Sequence, residues 1–396
     1  MQRLFTPLLL LLAVTLFVGG AAARVQKPEP RKLFPVEGVG GGTSFIDRTG
    51  RVVIAPDGID FTDVVKDGQY RLPMPPSWRD ADGDGDYPGR RRRARIEDFS
   101  EGLASFSIDT RPGSHRVRLA YGFVDETGRV VIAPTFNRAP GDFHDGRALV
   151  KGEDGRRGYI DRTGKTVVAP VYKFAWPFSE GLALVSPDGE SYGFIDPDGG
   201  VRIPLRFVGG GHFSEGLARV WVGDYQAAYI DRAGRVLFRL SEGDHGGEFR
   251  EGLAMLRVGG RDGKCGFIDR AGRTVIPVEF DDARDFSEGK ALVKRGDSWG
   301  FIDRSGRFVI PPIYAYGSSF SEGLAAVAVA REGTEAGWGY IDHAGNVRIP
   351  LEYDHAAPFS GGLAAVDRTM DGLSLGVDAY IDQQGRVVWE KPPRGW

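Results

Sequence analysis

Four aspartates in the stretch DADGDGDYPGRR could do chemistry together: Asp80, Asp82, Asp84 and Asp86, with Gly85 among them, fall on positions 1, 3, 5, 7 and 6 of a calcium-binding loop of the EF-hand type. Calcium takes six to eight oxygen ligands, and carboxylates on alternate residues of a tight loop can surround one hard cation. Position 12, where calcium needs a bidentate glutamate, is Arg91. It belongs to a basic run, Arg90, Arg91, Arg92 and Arg93, followed by Arg95. Three readings follow: a weak cation site, a docking patch for an acidic polysaccharide or protein, or a solvated loop in which the aspartates neutralise the arginines. The last is preferred, since acids this close blunt the field of the basic run.

Other reactive residues are scattered or repeated. An Asp recurs nine times in stretches such as FIDRTG, FIDRAG and YIDHAG, from Asp47 to Asp382. An enzyme needs one arranged site, so an acid that returns wherever the same turn returns is expected to shape the backbone. The repeated Glu of FSEGLA falls under the same reasoning. Six histidines show no metal-ligand spacing, and no Gly-x-Ser-x-Gly, phosphate-binding loop or paired Cys and His is present. Catalysis is not expected, and no cofactor is implied beyond the weak calcium possibility. Two tryptophans stand off the repeated pattern: Trp221 lies between two valines and reads as core, whereas Trp176, before Pro177, either packs or stays exposed for stacking on a sugar.

The elements that hold these residues are written in the repeats. The Asp positions from Asp125 onward are spaced by 36, 35, 35, 38, 34, 39 and 40 residues. Asp followed by Gly three positions later marks a tight turn, in which the carboxylate accepts backbone N–H groups and Gly takes positive φ. A β-branched run such as RTVIPV or RFVIPP follows, so each unit contains a strand, a turn and a strand. The closing proline cannot donate to a ladder, so pairing should end there or lie at an edge. Between these hairpins stand eight stretches like FSEGLA, each leading into another strand. The step from Asp47 to Asp125 spans 78 residues yet holds one FSEGLA, which implies an insertion at about 65–96 in the first repeat.

These strands are apolar on successive residues, as in sheets covered on both faces. A unit of about 35 residues cannot bury two faces alone, so neighbours must stack. The fold expected is all-β: a tandem array of about eight to nine β-meander repeats, either a propeller-like ring or an open β-solenoid. The array occupies 43–390, after a linker at 24–42, and a short tail fills 391–396. A ring of about eight units is preferred, although the chain begins and ends on the same kind of hairpin.

At its N-terminus the chain has Arg3, an apolar run from Leu8 to about Val18, and small residues to Ala23. That order predicts a secretory signal cleaved near Ala23, over 1–23. Export to the periplasm, cell surface or medium is therefore expected. Cys265 is the single cysteine, so no disulfide forms within the chain, and the formal charge of −3 offers no field for nucleic acid.

In these stretches the sequence resembles the bacterial WG-repeat family, whose unit runs W-G-[FY]-I-D-x-x-G-x-x-V-I-P-P and continues to F-S-E-G-L-A. WGFIDRSGRFVIPPIYAYGSSFSEGLAAV from Trp299 matches nearly throughout, and the unit from Trp338 matches well. The Trp of the name is kept only there; Tyr121, Tyr192 and Cys265 replace it elsewhere, and Arg157 precedes Gly158. An aromatic position so tolerant reads as packing. The resemblance implies an exported or surface protein, and the function expected is a non-enzymatic scaffold binding a protein or glycan partner. A small-ligand or calcium sensor built on the insertion and a central cavity is the alternative, with a hydrolase using unmarked acids behind both.

Overall fold

The computed structural model describes residues 32–392 apart from 38–42, 56–64, 67–68, 71–93, 110–118, 224–225, 261, 332–333 and 368–376. Each aromatic-Ile-Asp stretch folds as the Asp and Gly spacing demands. In one, Asp269 Oδ1 accepts the N–H groups of Ala271 at 2.9 Å and Arg273 at 3.0 Å, and Gly272 N–H returns to the Asp269 carbonyl at 2.9 Å. Gly272 sits at φ +79°, which a side chain would disfavour. The turn joins the strands Lys264–Asp269 and Thr274–Phe280. The second of these runs through Pro277 as an edge strand. A bulge accommodates it, and pairing resumes at Cys265 with Phe280.

Four strands make one sheet, in chain order: a short strand a before the Glu-Gly turn, strand b after it, strand c carrying the aromatic-Ile-Asp, and the edge strand d. In one such sheet these are His245–Gly246, Leu253–Val258, Lys264–Asp269 and Thr274–Phe280. Eight sheets of this form span 94–136, 143–172, 174–207, 209–239, 245–280, 282–314, 316–353 and 355–390. A ninth, ahead of them, has three strands: Phe34–Glu37, Thr43–Ile46 and Val52–Ile54. Between it and the next sheet, Val65–Lys66 pairs with Gln69–Tyr70. No helix occurs among the described residues.

The nine sheets are the blades of a closed β-propeller, numbered here 1 to 9 in chain order. The ring closes where Phe34, Val36 and Ile46 of blade 1 pack on Leu363 and Tyr380 of blade 9. An open array is thereby excluded, and nine blades replace the preferred eight because the first repeat forms a blade without its FSEGLA stretch. Strands b and c lie between neighbouring blades and are buried on both sides, as Ala183–Ser186 is along its whole length. Strand d is outermost: Val201 and Ile313 remain 57% and 60% exposed. Strand a faces the axis, where equivalent residues of neighbouring blades come within bonding distance.

Aromatic pairs set the blade spacing. The aromatic of strand c meets the Phe of the next FSEG turn: Phe123 and Phe143 at 4.9 Å, Phe267 and Phe286 at 4.9 Å, Phe301 and Phe320 at 4.8 Å. Blade 1 meets blade 2 through Phe45 and Phe99 at 5.2 Å, and blade 9 meets blade 1 through Tyr380 and Phe34 at 5.4 Å. Such pairs contribute about 0.5–1.5 kcal/mol each beyond area burial.

Candidate functional site

Asp80, Asp82, Asp84 and Asp86, with Arg90, Arg91, Arg92 and Arg93, lie outside the described residues. Trp176 is half-buried, with its ring 6.0 Å from Tyr192 and 6.2 Å from Phe174, and it packs against the core shared by blades 4 and 5. Trp221, expected in the core, is only partly buried: it packs against the cluster shared by blades 5 and 6, with the Arg219 guanidinium 5.0 Å from its ring.

The repeated carboxylates have two structural uses. The Asp of each aromatic-Ile-Asp turn is held by its own loop: hydrogen bonds from the Arg273 side chain and backbone keep Asp269 below the ordinary carboxylate range. The repeated Glu acts between blades. Glu251 adopts φ +53° and Gly252 φ +78°, giving a two-residue hairpin turn closed by bonds between Arg250 and Leu253. Its carboxylate accepts the N–H of Gly289, in the equivalent turn of blade 7, at 2.9 Å. The same bond runs from Gly146 to Glu101, Gly181 to Asp145, Gly216 to Glu180, Gly252 to Glu215, Gly323 to Glu288 and Gly362 to Glu322. An arginine from the next blade adds to several, such as Arg162 on Glu101 and Arg232 on Glu180. Sequence reasoning placed the Glu in a turn but missed this belt, because its partner is some 36 residues away.

The belt breaks where the ring closes. Blade 9 carries Gly361 in place of Glu, and a Cβ there would lie 2.7 Å from Lys32 Cδ. Lys32 Nζ bonds Ser360 Oγ instead. Among the described residues blade 1 has no strand a, and the register of Phe34 with Ile46 matches that of Ala183 with Ile195 in blade 4, so Pro35 corresponds to Leu184. The Leu184 carbonyl accepts the amide of Trp176, just after strand a of blade 4, whereas the Pro35 carbonyl accepts the Tyr380 hydroxyl at 2.9 Å.

What departs from the repeat gathers at the axis. The residue just before each repeat Phe belongs to strand a or the segment after it, and in blades 5, 6 and 7 it is His212, Glu248 and Asp285. These three line a cavity of about 470 Å³. His212 Nε2 lies 2.7 Å from Glu248 Oε1, and Arg250 Nη2 lies 3.2 Å from Glu248 Oε2. The Glu248 hydrogen bond raises the His212 pKa, and His212 in turn lowers that of Glu248. Asp285 shifts upward, from burial first and the Glu248 charge second. No hydrogen bond or ion pair to another described residue engages its carboxylate. The space exists because Gly211, Gly246 and Gly247 put no side chains there, while Leu217, Tyr229 and Phe249 form a buried floor. Aligning the repeats on their Phe would have exposed this position. A second cavity, of about 310 Å³, carries Asp98 and Asp142 at the same position of blades 2 and 3. Among the described residues no group of His, Cys, Asp and Glu is arranged to hold a metal ion.

Comparison with known proteins gives one family. The model for the WG containing repeat matches residues 121–156, 158–189, 192–224, 266–298, 299–329 and 338–367. No curated protein matches the chain. Among solved structures, a eukaryotic initiation factor is similar over 91% of this chain and 95% of its own, at 12% identity and TM-score 0.57, which is a likeness of fold. BamB from Moraxella catarrhalis covers 58% of this chain and 80% of its own at 14% identity and TM-score 0.34. YCF48 bound to D1 peptide covers 53% and 78% at 13% identity and TM-score 0.30.

Proposed function

Because the chain belongs to the family of WG containing repeats, we propose that it is an exported, non-enzymatic scaffold that binds a protein or glycan partner at the cell envelope or outside the cell. One observation carries this reading: the repeated Asp and Glu side chains, which could otherwise be candidate acids and bases, are engaged in turns and in bonds between blades. In an a-b-c-d meander the Glu-Gly and Asp-Gly turns share one end of each blade that has both. That end is a repetitive, cross-linked rim. The connections from b to c and from d to the next a fall at the opposite end and vary in length, which is where repeat folds keep recognition. Export is supported by the N-terminal run of Leu8 to about Val18 followed by small residues. No helix among the described residues is long and apolar enough to cross a membrane.

The test is a crosslinked pull-down from the envelope fraction with three baits: the whole protein, a variant lacking 77–93, and a variant with the b–c connections shortened to two-residue turns. A partner held by the first two baits and lost by the third supports the scaffold reading. A partner lost with the deletion moves recognition to the insertion, and no partner for any folded bait overturns the proposal. A second reading, a small-ligand sensor, is favoured by the axial cavity between blades 5 and 7.

A further inference from the structure

The axial cavity holds an acid, Asp285, that no described residue bonds, although the Arg250 and Arg284 charges act on it. Its other charged groups are accounted for: His212 and Arg250 bond Glu248, and Arg219 Nη1 bonds the Gly246 carbonyl. Arg284 is exposed, so water satisfies its guanidinium. Asp285 is half-buried, with Oδ1 against the Gly247 backbone, so that a Cβ at Gly247 would lie 3.3 Å from it. A half-buried carboxylate that only water satisfies gains from a donor, and most from a donor that is also a cation.

The cavity volume of about 470 Å³ lies within the range of small-molecule sites, and its floor of Leu217, Tyr229, Phe249 and Met255 suits an aliphatic stem, with two aromatic rings beside it. We infer that this cavity binds a primary ammonium group on an aliphatic stem, with Asp285 accepting its N–H donors. A lysine side chain of a partner and a free alkylamine carry the same group. The inference deepens the binding-scaffold reading by naming what one of its surfaces takes, yet it needs no partner to be tested.

The measurement is calorimetric titration of the purified chain with N-acetyl-lysine methylamide, with cadaverine, and with N-acetyl-norleucine methylamide, which keeps the stem and loses the amine. Binding of either amine at least tenfold tighter than the norleucine compound is expected. The lysine compound alone would indicate a protein partner, and cadaverine alone a free amine. Asp285→Asn, nearly isosteric, should weaken binding at least tenfold without lowering the melting temperature. Gly211→Leu should block the site while folding normally, since a Cβ at Gly211 meets no atom within 4 Å. Equal binding of the norleucine compound, no binding by either amine, or unchanged binding in Asp285→Asn overturns the inference. Failure of the pull-down above with success here would remove the macromolecular partner and leave the amine site standing.

Discussion

At the level of single residues, the belt glutamates carry an internal opposition. A non-glycine residue at φ near +53° is strained by about 1–3 kcal/mol, and a charge-assisted hydrogen bond returns about 1.5–3 kcal/mol. Glu251→Ala keeps the strain and loses the bond to Gly289, so it should destabilise by about 1–2 kcal/mol in chemical denaturation. Glu251→Gly loses the same bond but relieves the strain, and should cost less than the alanine variant. The reverse order would mean that the carboxylate contributes nothing across the junction. His212 adds a pH dependence. Its folded pKa is raised by Glu248, so its stabilising contribution is full below the ordinary imidazole value of about 6.5 and is lost as pH rises through the higher folded value. Asp285, also raised, loses stability as pH climbs from the ordinary carboxylate value to its own. Melting curves of His212→Gln should therefore show a flatter decline above pH 6.5 than the parent, and those of Asp285→Asn a flatter decline above about pH 4.

Among the elements, the hairpin turns test how far a local motif is local. Gly146 and Gly272 both have positive φ, at 72° and 79°. A Cβ at Gly146 meets no atom within 4 Å, whereas one at Gly272 would lie 2.6 Å from the ring of Phe238 in the neighbouring blade. Gly146→Ala should cost about 1–2 kcal/mol from the left-handed backbone alone. Gly272→Ala should add about 1–3 kcal/mol for crowding. Equal costs in denaturation would show that the blades separate easily. The sequence reading anticipated the turn at Gly272 from its Asp and Gly spacing and that at Gly146 as a counterpart of the Glu-Gly turn, but not the phenylalanine on another blade that separates their costs.

For the whole molecule, closure is the feature most open to test. The seven junctions from blades 2 and 3 to blades 8 and 9 have a belt bond, whereas the junction of blades 9 and 1 relies on Lys32, the Phe34 and Tyr380 rings, and the hydroxyl of Tyr380 on Pro35. Burial pushes the Tyr380 pKa up to about 12, so the hydroxyl stays a donor at any physiological pH. Tyr380→Phe should cost about 1 kcal/mol and speed amide exchange in blades 1 and 9. Tyr340→Phe, which loses an equivalent bond to Ala357 at 2.7 Å, should instead loosen blades 8 and 9. If both variants loosen the same blades, the closure is no special point. A closed ring also sets the size: about 370 compact residues should give a radius of gyration near 21 Å in scattering.

What the sequence determined by itself is the set of short-range features. The Asp-Gly and Glu-Gly turns, the edge character of the proline strands and the doubly covered strands b and c follow from residues within about a dozen positions of one another. Nine aromatic-aliphatic-Asp stretches against eight FSEGLA stretches also recorded, in plain count, that one repeat has no FSEGLA turn of its own. What only the tertiary structure decided is everything that depends on distance through space: that the ends meet, that Gly361 and Tyr380 serve the closure, and that His212, Glu248 and Asp285 share one cavity. Their separations of 36 and 37 residues match the repeat, so the chain names the interval but not the angle between blades. That angle comes from how large aromatic side chains pack between neighbours, and a small change in it, summed over a ring, separates a closed propeller from an open spiral.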